Sequence, residues 1–580
     1  MMNTNYSCEK NVQILVALLK AHSIKKIVAS PGATNVCFVA SLQSDPFFEI
    51  YSAVDERSAA YMACGMAAES GQPVVLSCTG ATASRNYMPG LTEAYYRKLP
   101  ILAVTSTQHL GRIGHHVPQV IDRTNPINDV YVFHAEVPTI HDIEDEWAYG
   151  VMMNKAIIAL QDHGGGPSHI DLTTTYNKDF SVKELPQIQV INKFGVEDDL
   201  PELKADRVGI FVGAHNVWSH RLTRAVDEFC EKYNAVVFCD HTSNYLGKYR
   251  SMFNLVTGQE QYVSQNKKMD ILIHIGEISG AYMDLHPSQV WRVNRDGEIR
   301  DTFRKLRYTF QMSEEFFFES YNAKKAEKVK TEYYHACTTE YGRLLEKISE
   351  LPFSNIWVAK ELCKKLPENC VLHLGILNSL RSWNFFETSR SILGYSNTGG
   401  FGIDGIASTL IGASLASPEK LFFCVLGDLA FFYDMNSIGN RHIGKNIRIL
   451  VVNNGIGTEF KNYSHPAARF DENANLYMAA GGHYGNKSMT LLRDYTKSLG
   501  FDYISASTKA EFADVVPKFV DPAIGEKPIF FEIFTDSRNE SDALKIMNNL
   551  ESTSSNIAKN MMKEILGEKG VHTLKKLIRG

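Results

Sequence analysis

No two of the 10 cysteines are spaced as CxxC, which removes both a zinc ribbon and a disulfide framework. The thiols are expected to be reduced, as in a cytoplasmic protein. Long apolar runs are missing too. The stretch VQILVALLK, Val12 to Lys20, is too short to span a bilayer and lacks the basic lead and cleavage site of a secretion signal. It reads as a first helix, and no membrane partner is expected. Basic charge is not in excess, since 60 Lys and Arg stand against 65 Asp and Glu, a net charge of -5. That balance offers no surface for nucleic acid. The middle third has no GxGxxG fingerprint, so a dinucleotide-dependent oxidoreductase loses its main signal.

What is present is a rhythm of short apolar strands alternating with helical lengths. KIVASPG, FEIYSAVDE, PVVLSCTG, PILAVTS and PSHIDLTT occupy the first third, RVGIFVGAHN to QVWRVNRDGE the second, and CVLHLGI to PIFFEIFTD the last. Near-continuous apolar strands belong in parallel sheets covered on both faces. The fold class is therefore α/β, with three doubly wound domains over 1–183, 184–345 and 346–540 and a helical tail over 541–580. A charged helical link, Lys324 to Ile348, leads into the third.

The stretch GDLAFFYDMNSIGNRHIGKNIRILVVNNG, Gly427 to Gly455, ends one apolar run in an acid and the next in two asparagines. In an open parallel sheet, ligands gather at the carboxyl ends of strands, where helix N-termini present free N–H groups. One carboxylate, one amide oxygen and one loop carbonyl suit a magnesium-type cation that completes its shell with phosphate oxygens. Taken alone, GD also closes a strand and NNG also makes a turn.

This segment resembles the diphosphate-binding signature of thiamine diphosphate (ThDP) enzymes, GDG followed by NN, with Leu429 in place of the second glycine. GDL is similar to the form in succinyl-enolpyruvyl synthases of the menaquinone pathway. The resemblance implies that Asp428, Asn454 and the carbonyl of Ile456 hold Mg2+, and that the backbone of Gly427, Asp428, Leu429 and Ala430 approaches the phosphates. It also implies a catalytic carboxyl for the aminopyrimidine ring. Glu56, at the end of FEIYSAVDE and before the Ala-rich RSAAYMACGMAAESG, matches that pattern. An ordinary first-turn acid would look the same, and Asp55 is the neighbouring register. GGFGIDGIAST, Gly399 to Thr409, resembles the segment that bends the cofactor, with Ile403 between its rings and the carbonyl of Phe401 on its amino group. A glycine loop opening a packed helix is the plainer account.

The resemblance further implies decarboxylation of a 2-oxo acid, pyruvate-like, with transfer of the acyl carbanion equivalent to an acceptor carbonyl, as in acetolactate synthases. Release of an aldehyde is the alternative, and a catalytically silent homologue is a third reading. GATASRNYMPGLTEAYYRKLPILAVTS and HLGRIGHHVPQ look like the pyruvate and indolepyruvate decarboxylases, so His115, His116 and Gln119 are candidate proton-handling residues. Glu459, in NNGIGTEF, is a further candidate acid or base. Ala33 stands where those decarboxylases carry an acid, and Thr34 where the succinyl-enolpyruvyl synthases carry a basic residue. FAD is possible but not indicated. The family's division of its site between domains implies a homodimer with shared active sites, and by analogy a homotetramer.

Overall fold

The computed structural model describes residues 4–324, 331–483 and 487–552. Residues up to Leu200, with Asp296–Gln311, form one compact unit; Pro201–Arg295 and the chain from Met312 form another. In the first, β1 (Lys26–Ala29), β2 (Glu49–Ser52), β3 (Val74–Thr79), β4 (Ile101–Thr107), β5 (Phe133–Val137) and β6 (Ser168–Thr173) pair in parallel in the order β2-β1-β3-β4-β6-β5. β3, β4 and β6 are buried along almost their whole length, which is why their sequences do not alternate. Val75, Leu102 and Val104 pack on one face against the helix Lys10–Ala21, which VQILVALLK predicts. Val74, Leu76 and Cys78 pack on the other against Ala59, Ala60, Ala63 and Ala67. The unit also holds the parallel pair Asn192–Phe194 and Leu306–Gln311.

In the second unit, Arg250–Ser251, Ala235–Phe238, Val208–Val212, Lys268–Ile275 and His286–Asn294 lie side by side in that order, all parallel. A further sheet follows, from β7 (Val371–Leu374), β8 (Leu393–Tyr395), β9 (Phe422–Gly427), β10 (Ile447–Asn453), β11 (Asp502–Ala506) and β12 (Ile529–Phe534). Its order is β8-β7-β9-β10-β12-β11. That is the same winding as the first sheet. The chain leaves its first strand in one direction and its third in the other, so a crevice opens at the carboxyl ends of those two strands.

The expected link helix is present as Glu332–Glu346, and residues 325–330 lie outside the described part. The tail expected from Ser541 belongs to a helix that already starts at Ser537 and ends at Asn548; 553–580 lie outside the described residues. All 10 cysteines are free of disulfides. Among the described residues no helix is long and apolar enough to cross a membrane.

Candidate active site

β9 ends at the switch point of its sheet, and there the helix Asp428–Asp434 begins with Gly427 as its cap. The apolar run that makes β9 a central strand thus delivers an acid to the sheet's crevice. Asp428 is 4% exposed, and burial pushes its carboxyl up to about 7, against the pull of the backbone amides of Leu429 and Gly455. Its Oδ2 accepts the Gly455 N–H at 2.9 Å. A buried carboxylate with amide donors and no cationic partner among these contacts is costly unless a cation sits beside it.

The two asparagines divide their work. Asn453, the last residue of β10, is buried and donates to Glu532 Oε1 at 2.7 Å, while Glu532 Oε2 accepts from Tyr503 at 2.8 Å. Asn454 stands one residue beyond the strand and is half-buried. Its Oδ1 accepts the Ile456 N–H at 3.4 Å, and Gly455 between them turns at φ +70. A left-handed turn there favours glycine, which has no Cβ. The loop thereby gathers Asp428, Asn454 and Ile456 in one place. This all-oxygen set with a single carboxylate fits a magnesium ion that takes its remaining ligands from phosphate and water. Among the described residues no group of three or more His, Cys, Asp or Glu is placed to hold a metal ion.

Glu459 is tied down. Arg381, on the helix Asn378–Trp383, donates from Nη1 to Oε2 at 2.8 Å and from Nη2 to Oε1 at 2.9 Å, and Asn378 donates to Thr458 Oγ1 at 2.6 Å. The sequence reading missed Arg381. The i, i+3 spacing from Asn378 puts both side chains on one helix face, but Glu459 lies 78 residues along the chain and no local pattern points to it. Upstream, Gly405 at φ +75 caps the helix Ile406–Ala416. Ile403 rests half-buried on the core below, and Phe401 is 45% exposed with φ +55. A left-handed backbone at a non-glycine residue costs about 1 kcal/mol or more.

In the first unit, β2 ends at Ser52, not at the acid, and Glu56 is the first residue of the helix Glu56–Ser70. The two neighbouring acids differ in what they bond. Asp55 accepts the Ser58 N–H at 3.0 Å and the Ser58 hydroxyl at 2.6 Å, so its carboxylate is occupied by its own helix. Glu56 is half-buried, and its Oε2 accepts from Asn86 at 3.1 Å. The helix sits close to the helix Met88–Arg97 because both present small residues: a Cβ at Gly90 would fall 2.5 Å from the Ala60 Cβ. His115, His116 and Gln119 share one exposed turn, with His116 and Gln119 at positive φ.

Residues 10–125 match the family described as thiamine pyrophosphate enzyme, N-terminal TPP binding domain. The 2-succinyl-5-enolpyruvyl-6-hydroxy-3-cyclohexene-1-carboxylate synthase of Bacteroides fragilis is 29% identical over 573 residues, which cover 93% of this chain and 98% of that protein. The enzyme of the same name from Bacteroides thetaiotaomicron is 29% identical over 568 residues, with the same two shares. That of Porphyromonas gingivalis is 24% identical over 583 residues, covering 94% of this chain and 97% of its own. The family match covers the part of the chain that contains Glu56, and the relatives align along nearly all of it, through the Asp428 and Asn454 loops. The chain is thus similar to thiamine diphosphate-dependent enzymes, through their N-terminal TPP binding domain and, by the relatives, along nearly its whole length, and these findings support an enzyme of that kind.

Proposed function

We propose that this enzyme uses Mg2+ with its thiamine diphosphate to decarboxylate a pyruvate-like 2-oxo acid and pass the acyl carbanion equivalent to an acceptor carbonyl. When bound, the cofactor supplies the electron sink for loss of carbon dioxide. The Asp428 carboxylate, the Asn454 amide oxygen and the Ile456 carbonyl would hold the metal, and the backbone from Gly427 to Ala430 would meet the diphosphate. Glu56 would hold a proton for the aminopyrimidine ring nitrogen. Ile403 would support the cofactor, and the Phe401 carbonyl would accept from its amino group. The observation that carries this reading is the buried acid Asp428 at the switch point, with Asn454 and Ile456 beside it.

The relatives' printed name describes a product bearing a succinyl group, the fragment that a five-carbon dicarboxylic 2-oxo acid would leave after losing carbon dioxide. Two features favour a smaller donor without a second carboxylate here. Thr34 is 2% exposed, and its hydroxyl donates to the Ser106 carbonyl at 2.6 Å, so no cation stands after SPG. Arg381 spends both arms on Glu459. The same pairing disfavours Glu459 as a free proton donor and, with it, simple release of an aldehyde.

A homodimer with shared sites fits the surface around Glu56, where Tyr51, Val54, Tyr61 and Met62 are 42%, 80%, 48% and 42% exposed on one unit. Reconstitution with ThDP and Mg2+ tests the reading. Pyruvate is expected to release carbon dioxide faster than 2-oxoglutarate, and an added 2-oxo acid or aldehyde acceptor to give a hydroxyketone. Cofactor binding with no turnover of any 2-oxo acid would favour the silent homologue, and acetaldehyde as the sole product would favour the plain decarboxylase.

A further inference from the structure

The loop from Gln108 to Val132 leaves β4 and returns to β5 with one 3-10 turn as its only regular element, and His116, Gln119 and Asp129 along it hold positive φ. Such a segment has no ladder to fix its path, so side chains must do it. Its later part is pinned by Val130, buried in the core, and by Tyr96, whose hydroxyl donates to Asp129 Oδ2 at 2.9 Å. Its earlier end is pinned by Arg112, which donates to Gln108. Between them, just after the exposed turn His115–Gln119, stand Asp122, whose carbonyl accepts from Arg85 at 3.1 Å, and Arg123.

Arg123 is 7% exposed. Its Nη2 donates to Asp171 Oδ1 at 2.6 Å and its Nη1 to Thr105 Oγ1 at 2.7 Å. Thr105 on β4 and Asp171 on β6 are register partners, so the guanidinium grips two neighbouring strands at one level. The grip is itself supported. Thr105 Oγ1 lies 2.7 Å from His169 Nε2, His169 Nδ1 lies 2.8 Å from His134 Nδ1, and the Tyr131 ring stacks on His169 with centroids 4.7 Å apart. Gly80 leaves the room required, since a Cβ there would fall 2.7 Å from Arg123 Nη2. A buried ion pair adds little stability over apolar residues of the same shape, but it does specify position.

We propose that Arg123 is a positioning residue, whose grip on β4 and β6 sets where His115, His116 and Gln119 stand relative to the substrate. This rests on the reading of that turn as substrate-facing. Arg123→Met and Arg123→Lys are compared with wild type as holoenzymes with ThDP and Mg2+, by carbon dioxide release from pyruvate and by trypsin cleavage after Arg112. Arg123→Met is expected to lower kcat by about 10- to 100-fold with cofactor affinity unchanged, and to speed cleavage by about 10-fold as the loop opens. Arg123→Lys keeps the charge but not the fork, and restores part of both. If Arg123→Met does not fold, Thr105→Val removes one arm alone and is read the same way. Wild-type kcat or wild-type cleavage in a folded variant overturns the proposal. Should wild type bind cofactor yet turn over no 2-oxo acid, the functional reading falls, and the cleavage rate still decides whether Arg123 holds the loop.

Discussion

Replacing Gly90 by alanine tests whether close helix packing holds the proposed catalytic carboxyl in place. The added Cβ would fall 2.5 Å from the Ala60 Cβ and 3.0 Å from the Ala60 carbonyl carbon. Ordinary carbon contacts are about 3.5–4.0 Å, so the two helices must part by roughly 1 Å. Both sides of this contact are backbone-proximal, and no rotamer change can relieve it. The Gly90 carbonyl also accepts from Cys64 Sγ at 3.2 Å, a bond that parting weakens. Overpacking of this sort costs about 1–3 kcal/mol. For a unit of this size that is a fall in Tm of roughly 2–4 °C per kcal/mol. Because Glu56 opens one helix and its partner Asn86 lies just before the other, the shift also displaces the carboxyl, and a misplacement of about 1 Å costs up to roughly 100-fold in kcat. Thermal unfolding followed by circular dichroism, with carbon dioxide release from pyruvate under saturating ThDP and Mg2+, measures both. A Gly90→Ala protein with wild-type Tm and wild-type kcat would refute the packing argument, and lost stability with full kcat would detach Glu56 from it.

Glu56→Gln is expected to bind ThDP as wild type does while losing about 100- to 10,000-fold in kcat, the range for a general acid or base, as read by steady-state kinetics with a parallel binding titration. Glu540 offers a pH test. Its buried carboxyl accepts the Asn355 N–H at 3.0 Å and the Thr535 hydroxyl at 2.8 Å, and burial pushes it from 4.5 up to about 7. The folded protein then keeps a proton that the unfolded chain releases, so this group's contribution is fully present below pH 4.5 and is lost as pH rises through 7. The ceiling is about 3 kcal/mol, and Glu540→Gln should flatten the decline in urea unfolding between pH 5 and 8. For Arg381 and Glu459, a double-mutant cycle with Arg381→Met and Glu459→Gln is expected to give about 1 kcal/mol of coupling in stability, since the pair is only partly buried at 35% and 23% exposed.

The strands were legible because burial on both faces of a parallel sheet leaves an unbroken apolar run, as in FFCVLG and IRILVVN. Short edge strands such as Leu393–Tyr395 gave no such run and went unread. The places of Asp428 and Asn454 at strand ends could be read because the end of an apolar run is a local event in sequence. The end of β2 was misjudged by a few residues, since FEIYSAVDE keeps its β-like composition past the point where pairing stops at Ser52. Arg381 and Arg123 were not found for the opposite reason. Their partners are distant along the chain, Glu459 for one and Thr105 with Asp171 for the other, and no spacing in the sequence announces a contact that only the folded sheet creates.

The repeated winding of the first and last sheets leaves the chain with two crevices of one design. At the end of the third strand the earlier copy reads Thr79-Gly80-Ala81 and the later one Leu426-Gly427-Asp428. A single methyl group stands where its counterpart has an anion. If the metal binds as proposed, only the later copy offers it a carboxylate, and a titration should count one ion per chain.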